Sequence, residues 1–333
     1  MKLRSIFSGI TALLFLAVIA AAQNPAYRIS APYSHKNLTI FLIHGKDETS
    51  KTNILTLQEA MERKILHVYE TSDVNELAVE NVSKYFDVFI QSGDIVKGGK
   101  QDRILGVSII IAARSGRIKI EAFCVESGRW QKRGNEDTGQ FSSSNDRIVS
   151  KELKLAANGA RSQQEVWAKV SEAQEKLSRN VGDVVASTSS SSSLQLSLEN
   201  RKVTATADEY VRNLSNLIDG KSDVIGYAFA VNGQINSADI YVSNGLFKKL
   251  WPRMLKAAAI EAVAGRSDSA PALPTKPAEV QAFMSGADRA PAKERAASGS
   301  ARVVTRDKDD SAVYEARDEK SKTVVHRAYV KKQ

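Results

Sequence analysis

A single cysteine, Cys124, stands in a chain of 333 residues. No disulfide can form within one molecule, and zinc sites built on paired cysteines are excluded by the same count. Histidine is nearly as scarce. His35, His44, His67 and His326 show neither HxH nor HExxH spacing, so no metal site is expected. There is no GxGxxG or Walker-type loop and no GxSxG elbow, so no cofactor is expected either. Aromatic residues make up only 7% of the chain and no basic stripe is interleaved with them. Nucleic acid is therefore not an expected partner, despite a formal net charge of +9. That basicity suits solubility and loose attraction to anionic surfaces. Beyond the N-terminal segment, no apolar run reaches the ~20 residues that a membrane-spanning helix needs.

What is present begins with "MKLRSIFSGITALLFLAVIAAAQ". Lys2 and Arg4 precede an apolar run from Ile10 to Ala22, and the small residues Ala20 and Ala22 suit cleavage before Gln23. A basic start, a short apolar core and a small-residue exit make residues 1–22 a secretory signal. The expected product is an exported, soluble protein, periplasmic or extracellular. Gln23 rather than a cysteine stands immediately after the cut, so a lipid anchor is not expected.

The organisation of the rest follows from hydrophobic periodicity. From Leu38 to Trp130 short β-branched runs are separated by glycine turns, which suggests an antiparallel sandwich or a partly closed barrel. One helix interrupts it, Leu57 to Arg63, with Thr56 and Glu59 at capping-box spacing. The middle is helical. "SQQEVWAKVSEAQEKLSRN" places Val166, Val170, Ala173 and Leu177 on one face, and "TADEYVRNLSNLIDG" does the same with Tyr210, Leu214, Leu217 and Ile218. Between them a serine tract reads as a mobile loop. "VIGYAFAVNGQINSADIYVS" is a hairpin about Asn232-Gly233. It feeds a helix in which Leu246, Leu250, Leu255 and Ala258 face the core and Pro252 forces a kink or restart. The fold class is thus α+β: a β-rich sandwich or partly closed barrel with packed helices in the C-terminal half of one domain, residues 31–265. An Ala/Pro/Ser-rich linker, 266–300, with a single helical turn near Val280 to Met284, and a charged β tail, 301–333, complete the chain.

Two polar clusters sit among the strands. "KGGKQDR" runs from Lys97 to Arg103 and "CVESGRW" from Cys124 to Trp130. About one outgoing and one returning strand separate them, so an antiparallel ribbon would bring both to the same sheet edge. Gly98 and Gly99 let successive amides point into one concavity, a way of holding an anion. Lys100 adds a point charge, Gln101 a polar arm, and Arg103 and Arg129 planar forks for phosphate or carboxylate. Glu126 lies between them and Trp130 could stack on a base or sugar. The same residues also fit a plain turn with solvated charges and a packed tryptophan. Glu76 and Glu126 are the candidate acid–base carboxylates, with Glu80 and Asp94 in the same strand region. Cys124 reads as a small buried hydrophobe rather than a nucleophile, and His44 as a strand-end residue.

Taken in order, "LTLQEAMERKILHVYE", "VNELAVENVS", "GGKQDR", "CVESGRW" and "GYAFAVNGQINSADIYVSNGLFKKLWPRMLKAAAIEA" resemble the ARG (ADP-ribosylglycohydrolase) and rhodanese-phosphatase-superfamily-associated protein domain, across roughly Ala31 to Gly265. The resemblance implies a mixed β-rich domain and a link to ADP-ribose or nucleotide-derivative metabolism. The family's GGKQNR stretch matches Gly98, Gly99, Lys100, Gln101 and Arg103, with Asp102 where asparagine is usual. Its Cys-Val-Glu-x-Gly-Arg-Trp stretch matches Cys124, Val125, Glu126, Gly128, Arg129 and Trp130. Three functions remain open: a binding domain for a phosphorylated, nucleotide-like or sugar-like ligand at the two clusters; a hydrolase with Glu126 or Glu76 as acid–base group; and an envelope module that meets a protein partner through its basic tail.

Overall fold

The computed structural model describes residues 27–71, 73–128, 141–147, 150–267, 274–299 and 301–332. The expected secretory signal lies outside these residues. In chain order the strands begin with β1 (Arg28–Ile29), β2 (Tyr33–His35), β3 (Leu38–His44) and β4 (Ile54–Thr56), followed by helix α1 (Leu57–Glu62). Then come β5 (Leu66–Glu70), β6 (Glu76–Asn81), β7 (Asp87–Ile90), β8 (Asp94–Gly98), β9 (Arg103–Leu105), β10 (Ile109–Ile111), β11 (Arg117–Cys124) and β12 (Phe141–Arg147). The helical segment holds α2 (Lys151–Lys154), α3 (Gln163–Val181), α4 (Leu194–Leu198) and α5 (Arg201–Leu214). After the hairpin β13 (Val224–Val231) and β14 (Gln234–Tyr241) come α6 (Asn244–Ala264) and α7 (Pro277–Asp288). The chain closes with β15 (Ala292–Ala296), β16 (Ala301–Lys308), β17 (Ser311–Asp318) and β18 (Thr323–Lys331).

These strands form three sheets in a mixed α+β architecture, as expected. A nine-stranded antiparallel sheet runs β1-β3-β13-β14-β18-β17-β16-β15, with β2 also paired to β3. A six-stranded antiparallel sheet runs β12-β8-β9-β11-β6-β5, and β12 comes back beside β5 so that it nearly closes as a barrel. A small sheet, β10-β7-β4, contains a parallel pair, β4 with β7.

Strand alternation explains how the large sheet is buried on both sides. Tyr227 and Phe229 turn toward α6, where Phe247 stacks on Tyr227 and Trp251 meets it edge-on. Ala228 and Ala230 turn the other way, to Val280 and Met284 of α7. A Cβ added at Gly226 would lie 2.2 Å from the carbonyl oxygen of Asp239, so only glycine allows β13 and β14 to approach this closely. A third apolar cluster fills the barrel, with Leu77, Val79, Val96, Leu105 and Ile120 inside.

Local signals in the sequence are met in detail. Thr56 and Glu59 form the reciprocal capping box of α1. Asn232 and Gly233 both take positive φ, 52° and 73°, in the β13–β14 turn. Val166, Val170 and Leu177 form the buried face of α3. Three expectations are corrected. Of the kink or restart expected at Pro252, the restart is absent: α6 is one continuous helix, buried nearly all round, so packing outweighs the missing backbone donor. The segment expected as a linker carries α7, whose Glu279 carboxylate accepts from the Lys276 amide at the helix start, and β15. Nor is the expected tail peripheral: β18 lies in the middle of the large sheet, between β14 and β17.

Candidate functional site

The two polar clusters do meet. Cys124 of β11 stands opposite Arg103 of β9 in antiparallel register. The pairing extends past the strands: the Val125 amide donates to the Asp102 carbonyl at 3.1 Å, and the Gln101 side chain donates to the Glu126 carbonyl at 2.8 Å. Gly98 and Gly99 take positive φ of 109° and 57°, the conformation that turns successive amides into one concavity.

Protein carboxylates occupy that concavity. Asp102 Oδ1 accepts the Gly98 amide at 3.0 Å, and Glu70 Oε1, from the end of β5, accepts the Lys100 amide at 3.0 Å. Glu70 Oε2 pairs with the Arg103 guanidinium at 3.3 Å. Arg103 also donates to the Val74 carbonyl at 2.7 Å and to Cys124 Sγ. Its side chain is 1% exposed, and Gln101, Asp102 and Glu126 are buried with it. A side chain at Gly99 would collide with the Phe141 ring and Glu70. Lys100 is partly exposed, as are Lys97 and Glu70 at the edge of the group. Burial pushes the Cys124 thiol up to about 11, against the opposing pull of Arg103, which suits an inert core thiol. Arg129 and Trp130 lie outside the described residues. Of the other candidate carboxylates, Glu76 pairs with Lys119 at 3.0 Å and Glu80 accepts from the Tyr69 hydroxyl at 2.9 Å, while Asp94 is buried beside Arg253. His44 ends β3 and meets Asp223 at 2.9 Å.

A cleft of about 340 Å³ opens elsewhere, between α2, α3, the C-terminal end of α6 and the β13–β14 hairpin. The apolar face of α3 is spent on the core, so its polar face, Lys169, Glu172, Lys176 and Arg179, is left to line the cleft. Lys151 and Arg266 add further positive charge from α2 and from just beyond α6. At the floor, Glu261 of α6 accepts from the Asn236 side-chain amide at 3.2 Å. Asn236 is buried, and its carbonyl oxygen has no hydrogen-bond partner among the described residues. Burial, reinforced by the nearby Glu152 charge, pushes the Glu261 carboxyl up to about 7. Glu152 shifts the other way. Burial would raise it, but the Ser150 hydroxyl, its own backbone amide and Lys176 more than offset this and hold it below the usual carboxylate range. Two carboxyls with values pushed apart, one titrating near neutrality and one ionised there, form the arrangement that acid–base chemistry uses.

The profile of the ARG and Rhodanese-Phosphatase-superfamily-associated Protein domain matches residues 26–330. The chain belongs to that family. No curated protein and no solved structure is similar enough to this chain to match it. The matched span is wider than the resemblance within Ala31 to Gly265 suggested: α7 and β15–β18 are part of the ARG and Rhodanese-Phosphatase-superfamily-associated Protein domain, as their place in the large sheet requires. The cleft falls inside the same span. Sequence reasoning passed over it, although two signals were present. Lys169, Glu172, Lys176 and Arg179 recur at helical steps, and Glu261 is a lone carboxylate in the apolar run "AAAIEAVAG".

Proposed function

We propose that this domain binds a small anionic, sugar-like molecule, of the ADP-ribose or sugar-phosphate kind, in the cleft between α2, α3 and α6. One observation carries the reading: five basic side chains surround a recess of ligand size whose floor presents a sunken carboxyl and a buried amide oxygen. Lys169, Lys176, Arg179, Lys151 and Arg266 would attract phosphate, while Asn236 would accept a hydrogen bond from a sugar hydroxyl. The diglycine cluster supports ligand binding less well, because Glu70 and Asp102 already take its amides and Arg103. Glu261 and Glu152 favour a second step on the bound molecule, hydrolysis of a glycosidic bond with Glu261 donating the proton to the leaving oxygen.

Isothermal titration with ADP-ribose, ADP and ribose 5-phosphate tests the binding. The expected result is uptake of at least one of them that weakens with salt and falls about tenfold or more in Lys176→Glu and Arg179→Glu. No uptake of any of the three, or affinity untouched by both charge reversals, overturns it. Turnover lost in Glu261→Gln with binding retained would establish the hydrolytic step.

A further inference from the structure

Away from that cleft, where the large sheet meets the small one, a chain of polar side chains crosses the core. Ser108, just before β10, lies 2.9 Å from His326 Nδ1. His326, on β18, faces Asp239 of β14 through Nε2 at 3.0 Å. The other Asp239 oxygen meets the Lys154 ammonium at 3.1 Å, at the end of α2. Asp239, His326, Lys154 and Ser108 are all buried.

We propose that Ser108 is a nucleophile activated by His326, acting on esters of small acyl groups such as acetate. The hydrogen bonds assign the protons. A carboxylate paired with Lys154 can only accept, so His326 gives a proton on Nε2 to Asp239 at 3.0 Å, in preference to taking one from the Gln91 side-chain amide 3.4 Å from the same nitrogen, and leaves Nδ1 bare toward Ser108. The Ser92 amide donates to Ser108 Oγ at 3.0 Å, so the serine hydroxyl is left to donate to Nδ1. Stacking on Tyr241, with ring centroids 4.9 Å apart, fixes the imidazole plane. Nucleophile, base and orienting carboxylate thus stand in the relation that defines acyl-transfer sites on unrelated folds. Asp239 is the positioning residue of the three.

A recess of about 30 Å³ adjoins Ser108 and His326, with Asn158, Arg295 and Tyr314 on its lining. It admits a water or a short acyl group and excludes a long one. In the first step Ser108 Oγ bonds to the ester carbonyl carbon as its proton passes to Nδ1. The bond from that carbon to the alcohol oxygen then breaks, and the leaving alcohol takes the proton. Water repeats the exchange: it gives a proton to Nδ1, adds to the acyl carbon and releases the carboxylic acid, while Oγ leaves and recovers a proton.

The test is to treat the full chain with p-nitrophenyl acetate, follow nitrophenolate release and map acetylated residues by mass spectrometry. The expected result is an acetyl group on Ser108 of the wild type, with release slowed about a hundredfold in Ser108→Ala and His326→Gln. An unmodified Ser108 in the wild-type protein overturns the proposal, whatever the variants do. So does a Ser108→Ala protein of unaltered melting temperature that releases nitrophenolate at the wild-type rate.

Discussion

Arg103 shows what a single residue's neighbours decide. Its place beside the Cys124 strand followed from the spacing of two clusters, and the register between β9 and β11 confirms that inference. Its direction did not follow, because Glu70, which draws the guanidinium inward, lies on a strand with no local tie to either cluster. Spacing locates a loop; the charge that fills it comes from elsewhere in the chain. Glu261 could be noticed as a lone carboxylate, yet its environment is built by Asn236 and Glu152 from two other elements. The consequence is measurable. In the unfolded chain this carboxyl loses its proton near its ordinary 4.5, whereas in the folded protein it keeps it to about 7. Across that window the folded state binds the extra proton, so the contribution of Glu261 to stability falls as pH rises and is level above it. Thermal melts from pH 4 to 8 should show Glu261→Gln gaining stability relative to wild type between these limits. Parallel curves would disprove the elevated value.

At the scale of elements, legibility tracked local chemistry. The capping box of α1, the Asn-Gly turn and the apolar face of α3 each rest on residues close in sequence, and each is present. Only one turn of α7 was expected, because alanine and proline dominate the composition around it, yet Pro277 at its first position and Glu279 two residues later are start signals in their own right. Gly226 gives the sharpest test of element packing. Alanine there would drive a methyl group to 2.2 Å from the Asp239 carbonyl, and the backbone of β14 would have to yield. Gly226→Ala should lower stability by roughly 1–3 kcal/mol, the range for overpacked cores, read from urea unfolding midpoints. A change of a few tenths would show that the two strands part without strain.

For the whole molecule, the sequence pattern carried the α+β class and the closing barrel, but not the membership of the last strands. Alternation in "SAVYEARD" and "TVVHRAYVK" marks strands without naming their partners, since period two is the same at an edge and in the middle of a sheet. Their place predicts the effect of truncation. A chain stopped at residue 265 would lose β18 from the side of β14 and expose the apolar surface that α7 covers. It should be found in the insoluble fraction, or lack a cooperative melt by circular dichroism. A soluble, cooperatively melting product would show that 266–333 is dispensable.

The seat of β18 between β14 and β17 also bears on how the protein is made. While α6, α7 and three further strands are synthesised, β14 has one flank bare, a row of amides and carbonyls ready to pair with any extended neighbour. A nascent chain in that condition is prone to stick to its siblings, and a holdase chaperone that shields it until β18 arrives would raise the yield of native protein.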